Sequence, residues 1–299
     1  MMRDNWVIKF IPLALIWGSS FFFIELSLEW TTAVGVAFWR TALGALAMII
    51  ITYSLGLRLP GKAKQWLHLL VAGFFMSAFP FTMYAFAQQY TTSILAAILN
   101  ATTPMFTLLA TFTLFRAQKQ NPTAIIGLLV GLVGVGITLG IWRGFGESEP
   151  IAILALLAAS ISYGIGTPYI RKYVTPMKLP ATVTASVQVL TSAVILLPVY
   201  LFTGPLFVAE PTVQSAGALV LLGVLGSGIS YWLFHQVVAT AGSAVAATVT
   251  YTNPVIATVW GVLLLGEGLH WYEPVGAILV LTGAFFAQGR RLKLLRQKT

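Results

Sequence analysis

Ten long stretches of this chain carry almost no charge, and that feature constrains its fold more than any other. Only 8% of the 299 residues are charged, against about 25% in soluble domains. A run of about 20 mostly apolar residues is long enough to cross a lipid bilayer as a helix. Strands of a membrane barrel would alternate apolar and polar residues, whereas these runs are continuously apolar. The sequence therefore predicts an all-α membrane protein.

The predicted transmembrane helices are bounded by charged residues, prolines and glycines. They cover residues 9–28, 32–54, 66–89, 93–115, 123–142, 151–170, 182–202, 213–238, 243–265 and 274–288. The rest of the chain is enough only for short connections and tails, so we expect no water-soluble domain.

The positive charges divide unevenly between the two sides of this predicted topology. With ten spans, fifteen of the seventeen Lys and Arg residues fall on one side, Arg143 falls on the other, and Arg40 lies inside a span. Short cytoplasmic connections collect Lys and Arg. We therefore expect a multi-pass protein of the plasma membrane with both termini in the cytoplasm. The basic segment from Arg290 to Lys298 is then expected to contact anionic membrane lipids rather than nucleic acid.

The second half of the chain repeats the first at a shift near 150 residues. The matching segments are Ala96 to Pro104 with Ala246 to Pro254, Gly73 and Ser77 with Gly223 and Ser227, and Gly127 and Gly134 with Gly276 and Gly283. Each half holds five spans, an odd number, so the second half enters the membrane from the opposite side. The sequence thus predicts two inverted five-helix repeats, residues 1–145 and 146–299. Such repeats are typical of secondary transporters that work by alternating access, with the substrate site near the midplane.

Several motifs follow one another along the chain. They are Trp17-Gly18, Phe38-Trp39-Arg40, the runs into Pro104 and Pro254, Leu265-Gly266-Glu267, and Gly276 with Gly283. In this pattern the chain resembles, over nearly its whole length, the EamA-type family of the drug/metabolite transporter superfamily. The resemblance implies proton-linked or facilitated export of small metabolites, amino acids and amphipathic organic compounds. The two copies differ at one point, because span four ends Phe115-Arg116 where span nine ends Gly266-Glu267.

Two mid-helix prolines, Pro104 and Pro254, lie at matching places in spans four and nine. Each removes a backbone hydrogen bond and weakens its helix, which membranes tolerate where the freed carbonyls line a cavity. Asn100 and Thr103 lie on one helix face beside Pro104, and Asn253 is the copy of Thr103. We expect these polar groups to bind substrate and the prolines to act as hinges. The alternative is a static kink satisfied by neighbouring Thr and Asn side chains.

Aromatic residues with a polar tip also occupy matching places. Trp17 in the first span corresponds to Tyr163 in the sixth, and each precedes a glycine. Together with Tyr231, His235 and Tyr251 they predict an aromatic, weakly polar cavity that would accept amphipathic substrates. The alternative for each of them is ordinary packing or a place at the membrane interface.

Arg40 is the costliest residue in the predicted spans, since an Arg near the bilayer centre costs about 2.5–3.5 kcal/mol. Glu25 lies within about one helical turn of the same depth across the first hairpin, so the two are expected to form an ion pair. Arg40 therefore either binds a substrate carboxylate or locks the first two helices together. The copy of Arg40 is Gln188. Glu25 and His235 are the candidates for carrying a proton, since a His titrates near neutral pH.

Other classes of function fit the sequence less well. The chain has no cysteine, no His-Glu-x-x-His motif and no pair of acids at membrane depth, so we expect neither an enzyme nor a metal or cofactor site. A channel would need charged rings or a selectivity filter, and neither the single buried Arg40 nor the repeat suits one. A lipid or head-group flippase, and uptake in place of export, remain alternatives. The expected partners are a small-molecule substrate, a proton and membrane lipids, for a monomer or a homodimer.

Overall fold

The structure, a computed structural model, describes residues 6–115, 122–143, 149–241, 246 and 248–287. Within these ranges the chain forms ten main helical segments and no β-strand. In chain order they are α1 (Trp6–Leu28), α2 (Ala33–Ser54), α3 (Ala63–Gln88), α4 (Ser93–Thr113), α5 (Pro122–Thr138), α6 (Pro150–Met177), α7 (Ala181–Phe202), α8 (Val213–Val238), α9 (Val249–Leu265) and α10 (Tyr272–Ala287). Each overlaps one of the ten predicted segments, and the all-α fold is confirmed.

The helices differ in length. In the described part of the chain, seven are long and apolar enough to cross a membrane, and α5, α9 and α10 contain shorter apolar helices. α5 ends at Thr138, before the predicted end at residue 142. The chain turns there because Gly140 adopts a φ of +56°, which glycine tolerates without steric cost. A short 3-10 turn, Ile141–Arg143, follows.

α3 and α8 are copies of each other, and both contain a π-helical turn, at Phe74–Ala78 and Val224–Ile229. A π turn adds one residue to the helix and disturbs its ladder of backbone hydrogen bonds. The carbonyl of Met76, inside the first turn, accepts a hydrogen bond from the Tyr231 hydroxyl of α8. The first π turn is thus bonded directly to the second half.

α4 and α9 are also copies, and each is interrupted just before its proline. α4 breaks between Asn100 and Thr103, and α9 passes from a 3-10 turn into an α-helix ahead of Pro254. Pro104 and Pro254 each lie in the first turn of the piece that follows, where the missing N–H would have no helical partner. The weakened helices that the prolines predict are therefore present in both halves.

The two halves pack against each other through matching contacts. α2 packs against α8 as its copy α7 packs against α3, and α5 packs against its own copy, α10. A Cβ added to Gly44 in α2 would lie 2.9 Å from the Gly223 carbonyl oxygen of α8. One added to Gly73 in α3 would lie 2.9 Å from Ser192 Oγ of α7. Since the second pair is the copy of the first, the close contact occurs twice, as two inverted repeats require.

The connections predicted to lie on the outer side contact one another. The Glu149 amide donates to the Tyr90 carbonyl at 3.4 Å, and the Val208 amide donates to the Trp30 carbonyl at 2.9 Å. These contacts join the connections in two pairs, and the members of each pair therefore lie at the same end of the helix bundle. Some of the basic residues that were assigned to the cytoplasmic side lie outside the described residues. They are Arg3, Arg116, Lys119 and the segment from Arg290 to Lys298.

Candidate functional site

A cavity lies between the two halves, beside the interruptions in α4 and α9. It encloses about 780 Å³ of space free of protein atoms, its open mouth included. Its aromatic lining comprises Trp17, Phe21, Phe81, Tyr84, Tyr163, Tyr231 and Phe234. Its polar lining comprises Ser20, Arg40, Asn100, Thr103, Thr107, Thr167, Thr250 and Asn253. Both repeats contribute to the wall, as the predicted inverted arrangement requires.

The aromatic side chains of the lining form two groups, and within each group the rings contact one another. Trp17 meets Tyr231 edge to face, with ring centroids 5.8 Å apart, and Tyr84 stacks on Tyr163 at 6.1 Å. Phe21 meets Tyr84 edge to face at 5.7 Å. Aromatic pairs in these geometries fix ring positions beyond what apolar burial achieves. The cavity therefore presents preformed ring faces to a solute.

An amide network joins the two interrupted helices at the cavity. Asn253 Nδ2 donates to Asn100 Oδ1 at 3.0 Å, and Asn100 Nδ2 donates to the Tyr84 hydroxyl at 2.8 Å. In the described part of the chain, the side-chain amide oxygen of Asn253 (Oδ1) and the hydroxyl of Thr103 have no hydrogen-bond partner. Since unpaired buried polar atoms are rare and costly, these two copies, one from each repeat, are polar groups on which a bound solute could act.

Arg40 lies in this cavity but does not pair with Glu25, so the expected ion pair is wrong. Arg40 Nε donates to Ser227 Oγ at 3.0 Å, and its Cζ lies 3.5 Å from the centroid of the Phe81 ring. No described carboxylate lies within 4.0 Å of the guanidinium. Glu25 instead accepts a hydrogen bond from Gln88 Nε2 at 3.2 Å. Both residues contact α3, but at different levels, because Arg40 lies over Phe81 whereas Glu25 bonds to Gln88, seven residues farther along that helix.

The copy of Arg40 makes the corresponding contact in the other half. Gln188 Nε2 donates to Ser77 Oγ at 3.4 Å, and Ser77 is the copy of Ser227. Gln188 Oε1 lies 3.3 Å from Nε2 of His235, which is itself buried. One pair therefore places a cation in the cavity, and the matching pair places a neutral amide away from it.

The structure brings eight of the predicted site residues together in the lining and leaves four outside it. Those in the lining are Trp17, Arg40, Asn100, Thr103, Pro104, Tyr163, Tyr231 and Asn253. Those outside it are Glu25, His235, Tyr251 and Pro254. Across the described residues, no group of three His, Asp or Glu side chains could hold a metal ion.

Sequence reasoning missed four aromatic lining residues, although the repeat carried a signal for three of them. Phe81 is the copy of Tyr231, and Tyr84 is the copy of Phe234, both at a shift of 150. Extending the comparison of the two halves from Tyr231 would have found this set. Phe21 follows Ser20 in α1 and has no comparable signal.

Glu267, at the end of α9, binds the first turn of α4 at the predicted outer end of the bundle. Its Oε1 accepts from the Ser93 amide at 2.7 Å, and its Oε2 accepts from Ser93 Oγ at 3.0 Å and from the Ile94 amide at 3.1 Å. A carboxylate is favoured at a helix N-terminus because the amides there lack helical partners. This contact, here called the Glu267 cap, bonds the second repeat to the first.

Comparison with known families places the whole bundle in one of them. The EamA-like transporter family matches the chain twice, over residues 4–140 and 150–288. The two matched segments correspond to the two halves described above.

Individual relatives are similar over most of their length. An Escherichia coli protein named "Uncharacterized inner membrane transporter YedA" is 28% identical over 265 residues, which cover 87% of this chain and 83% of that protein. "Protein PecM" of Dickeya dadantii is 23% identical, covering 95% of this chain and 92% of that protein. A solved crystal structure superimposes with a TM-score of 0.67 at 18% identity, covering 99% of this chain and 100% of the other, which shows the shared fold alone.

Proposed function

The chain belongs to the EamA-like transporter family, and from this premise we propose that it exports small metabolites, such as amino acids or amphipathic organic compounds, by alternating access. The observation that carries the proposal is the cavity between the two repeats, lined by ring faces, amides and one cation. Cavities that bind small molecules are mostly apolar, with a few placed polar groups that fix orientation. The lining has this character.

The paired interruptions in α4 and α9 support the proposal of alternating access. We place the repeat boundary between residues 145 and 146, and both termini in the cytoplasm. The interruptions next to Pro104 and Pro254 lie in equivalent helices, so either half could adopt the bend of the other. Such an exchange would move the opening of the cavity from one side of the membrane to the other. The Glu267 cap, which joins the halves at the predicted outer end, supports a state closed at that end.

A cavity-filling substitution tests whether solute passes through this site. We expect Thr103→Trp to reduce counterflow of labelled phenylalanine in proteoliposomes by about tenfold or more, because an indole would occupy the space that the solute needs. Thr113→Trp is the matched control, since Thr113 lies on the same helix with an exposed side chain. Counterflow that is equal in both variants would contradict transport through the cavity. Transfer of labelled lipid without any solute counterflow would support a flippase instead.

Proton coupling is tested at Glu25. Glu25 and His235 each adjoin a lining residue, but Glu25 is half-buried whereas His235 is buried with its Nε2 3.3 Å from Gln188 Oε1, outside the lining. We propose Glu25 as the proton carrier and expect Glu25→Gln to abolish accumulation driven by a pH gradient while retaining counterflow. His235→Gln is expected to retain both activities. Retention of gradient-driven accumulation in Glu25→Gln, with its loss in His235→Gln, would reverse the assignment.

A further inference from the structure

Among the residues that the structure describes, none is a counter-ion for the positive charge of Arg40. The residue is 3% exposed, and no described carboxylate lies within 4.0 Å of it. Its neighbours are the Ser227 hydroxyl, which accepts from Nε, and the face of Phe81. Charges buried in a membrane protein are usually paired with one another or face a cavity. Arg40 does the second, since it forms part of the cavity lining.

The contacts of Arg40 fix its orientation and leave its outer donors available. Within the described residues, the guanidinium donates a side-chain hydrogen bond only through Nε, so Nη1 and Nη2 keep their N–H groups for a ligand. Ser227 holds one edge of the planar group, and Phe81 covers a face at 3.5 Å. Planar guanidinium donors match the two oxygens of a carboxylate. An oriented guanidinium with unused donors is therefore suited to a carboxylate head group.

The rest of the lining supports the same sign of charge. Among the described lining residues there is no Asp or Glu, so the cavity carries the single positive charge of Arg40. Aromatic faces attract cations, but the face of Phe81, the ring beside Arg40, is already covered by the Arg40 guanidinium. A cationic solute in the same small, weakly polar space would experience direct repulsion. The remaining rings, including those of Trp17 and Tyr163, would pack against an apolar body.

We infer that Arg40 determines the specificity of this cavity, selecting organic anions that join one carboxylate to an apolar or aromatic body and rejecting cations of the same shape. The inference rests on the proposed function for its site but concerns only the charge of the solute. Ser227, in the π turn of α8, is a positioning residue that acts through Arg40.

Three solutes with one aromatic body test this selectivity. The probes are 3-phenylpropionate, 3-phenylpropanamide and protonated 3-phenylpropylamine, and their dissociation constants are measured with purified full-length protein by ligand-induced thermal shift at pH 7. We expect the carboxylate to bind about tenfold or more tightly than either of the others. Arg40→Gln should weaken carboxylate binding by about the same factor, to the affinity of the amide. Arg171→Gln, which removes an exposed positive charge, should change none of the three constants.

Equal or tighter binding of the amide or the amine by the wild type would overturn the inference, and this comparison decides it even if Arg40→Gln does not fold. Unchanged carboxylate affinity in a folded Arg40→Gln variant would overturn it as well. Counterflow of labelled 3-phenylpropionate, measured in parallel, tests the proposed function separately. A protein that binds the carboxylate selectively but shows no counterflow would refute transport and keep the anion site. Counterflow without charge selectivity would refute the anion site and keep transport.

Discussion

Replacing Gly283 with leucine is expected to remove nearly all folded protein from the membrane. Gly283 in α10 lies directly against α5, and a Cβ at this position would be 2.6 Å from both the Gly127 carbonyl oxygen and the Gly131 Cα. Both are backbone atoms, so no side chain can rotate to make room. Membrane helices associate largely through such close packing of small residues. Forcing the two backbones apart should lower the free energy of unfolding by about 3 kcal/mol or more, because it disrupts the contact between two copied helices.

The yield of monodisperse protein, measured by size-exclusion chromatography after detergent extraction, checks this expectation. Gly217→Leu is the matched control, because Gly217 also lies in a membrane helix but a Cβ there would have nothing within 4 Å. We expect Gly217→Leu to be extracted at the wild-type yield. A wild-type yield of Gly283→Leu would show that α5 and α10 do not pack as closely as described.

The helices and their copies could be predicted because the lipid bilayer imposes one simple requirement on every span. Long uncharged runs marked all ten segments, and the comparison of the two halves matched residues that prove to make equivalent contacts. Ser227 with Arg40, and Ser77 with Gln188, are such contacts. Gly134 against the Gly276 carbonyl, and Gly283 against the Gly127 carbonyl, are a further pair of equivalent contacts.

The facing of individual side chains could not be predicted from depth alone. Arg40 and Glu25 were predicted to lie within about one helical turn of each other, yet they contact α3 at Phe81 and at Gln88, seven residues apart, and do not meet. Hydropathy indicates how far into the membrane a residue lies but not how its helix is rotated. The π turns add to this difficulty, because one extra residue rotates the following side chains by about 100°. His235, which follows such a turn, bonds to Gln188 and lies outside the cavity that it was predicted to line.

Removing the Glu267 carboxylate is expected to open the predicted outer end of the cavity. The Glu267 cap consists of three hydrogen bonds, from two amides and a hydroxyl of Ser93 and Ile94. Gly261 provides the necessary room, since a Cβ there would lie 2.6 Å from Glu267 Oε2. Hydrogen bonds to a charged group contribute about 1.5–3 kcal/mol each. Allowing for water that replaces part of them, Glu267→Ala should shift the balance between closed and open states by roughly a hundredfold.

The absence of native cysteine allows this shift to be measured by labelling. A single cysteine in place of Ile24, which lines the cavity and is 2% exposed, should react slowly with a membrane-impermeant maleimide added outside. Glu267→Ala should raise that labelling rate by a factor that approaches the expected shift between closed and open states. The labelling rate at the exposed position of Val213→Cys should not change. Glu149→Gln is the matched control, because Glu149 precedes α6 without capping its amides through its side chain. Equal labelling of Ile24→Cys with and without the cap would show that Glu267 does not hold this end closed.

The difference between the repeats gives the expected shift its direction. An equivalent cap at the predicted cytoplasmic end would need an acidic residue after span four, where the sequence has Phe115-Arg116 in place of Gly266-Glu267. The cap can therefore stabilise closure only at the end where α4 begins. In an otherwise symmetric pair of repeats, such a one-sided contact biases the resting protein toward the state closed at that end. Glu267→Ala should accordingly increase access from the predicted outer side and reduce access from the cytoplasmic side.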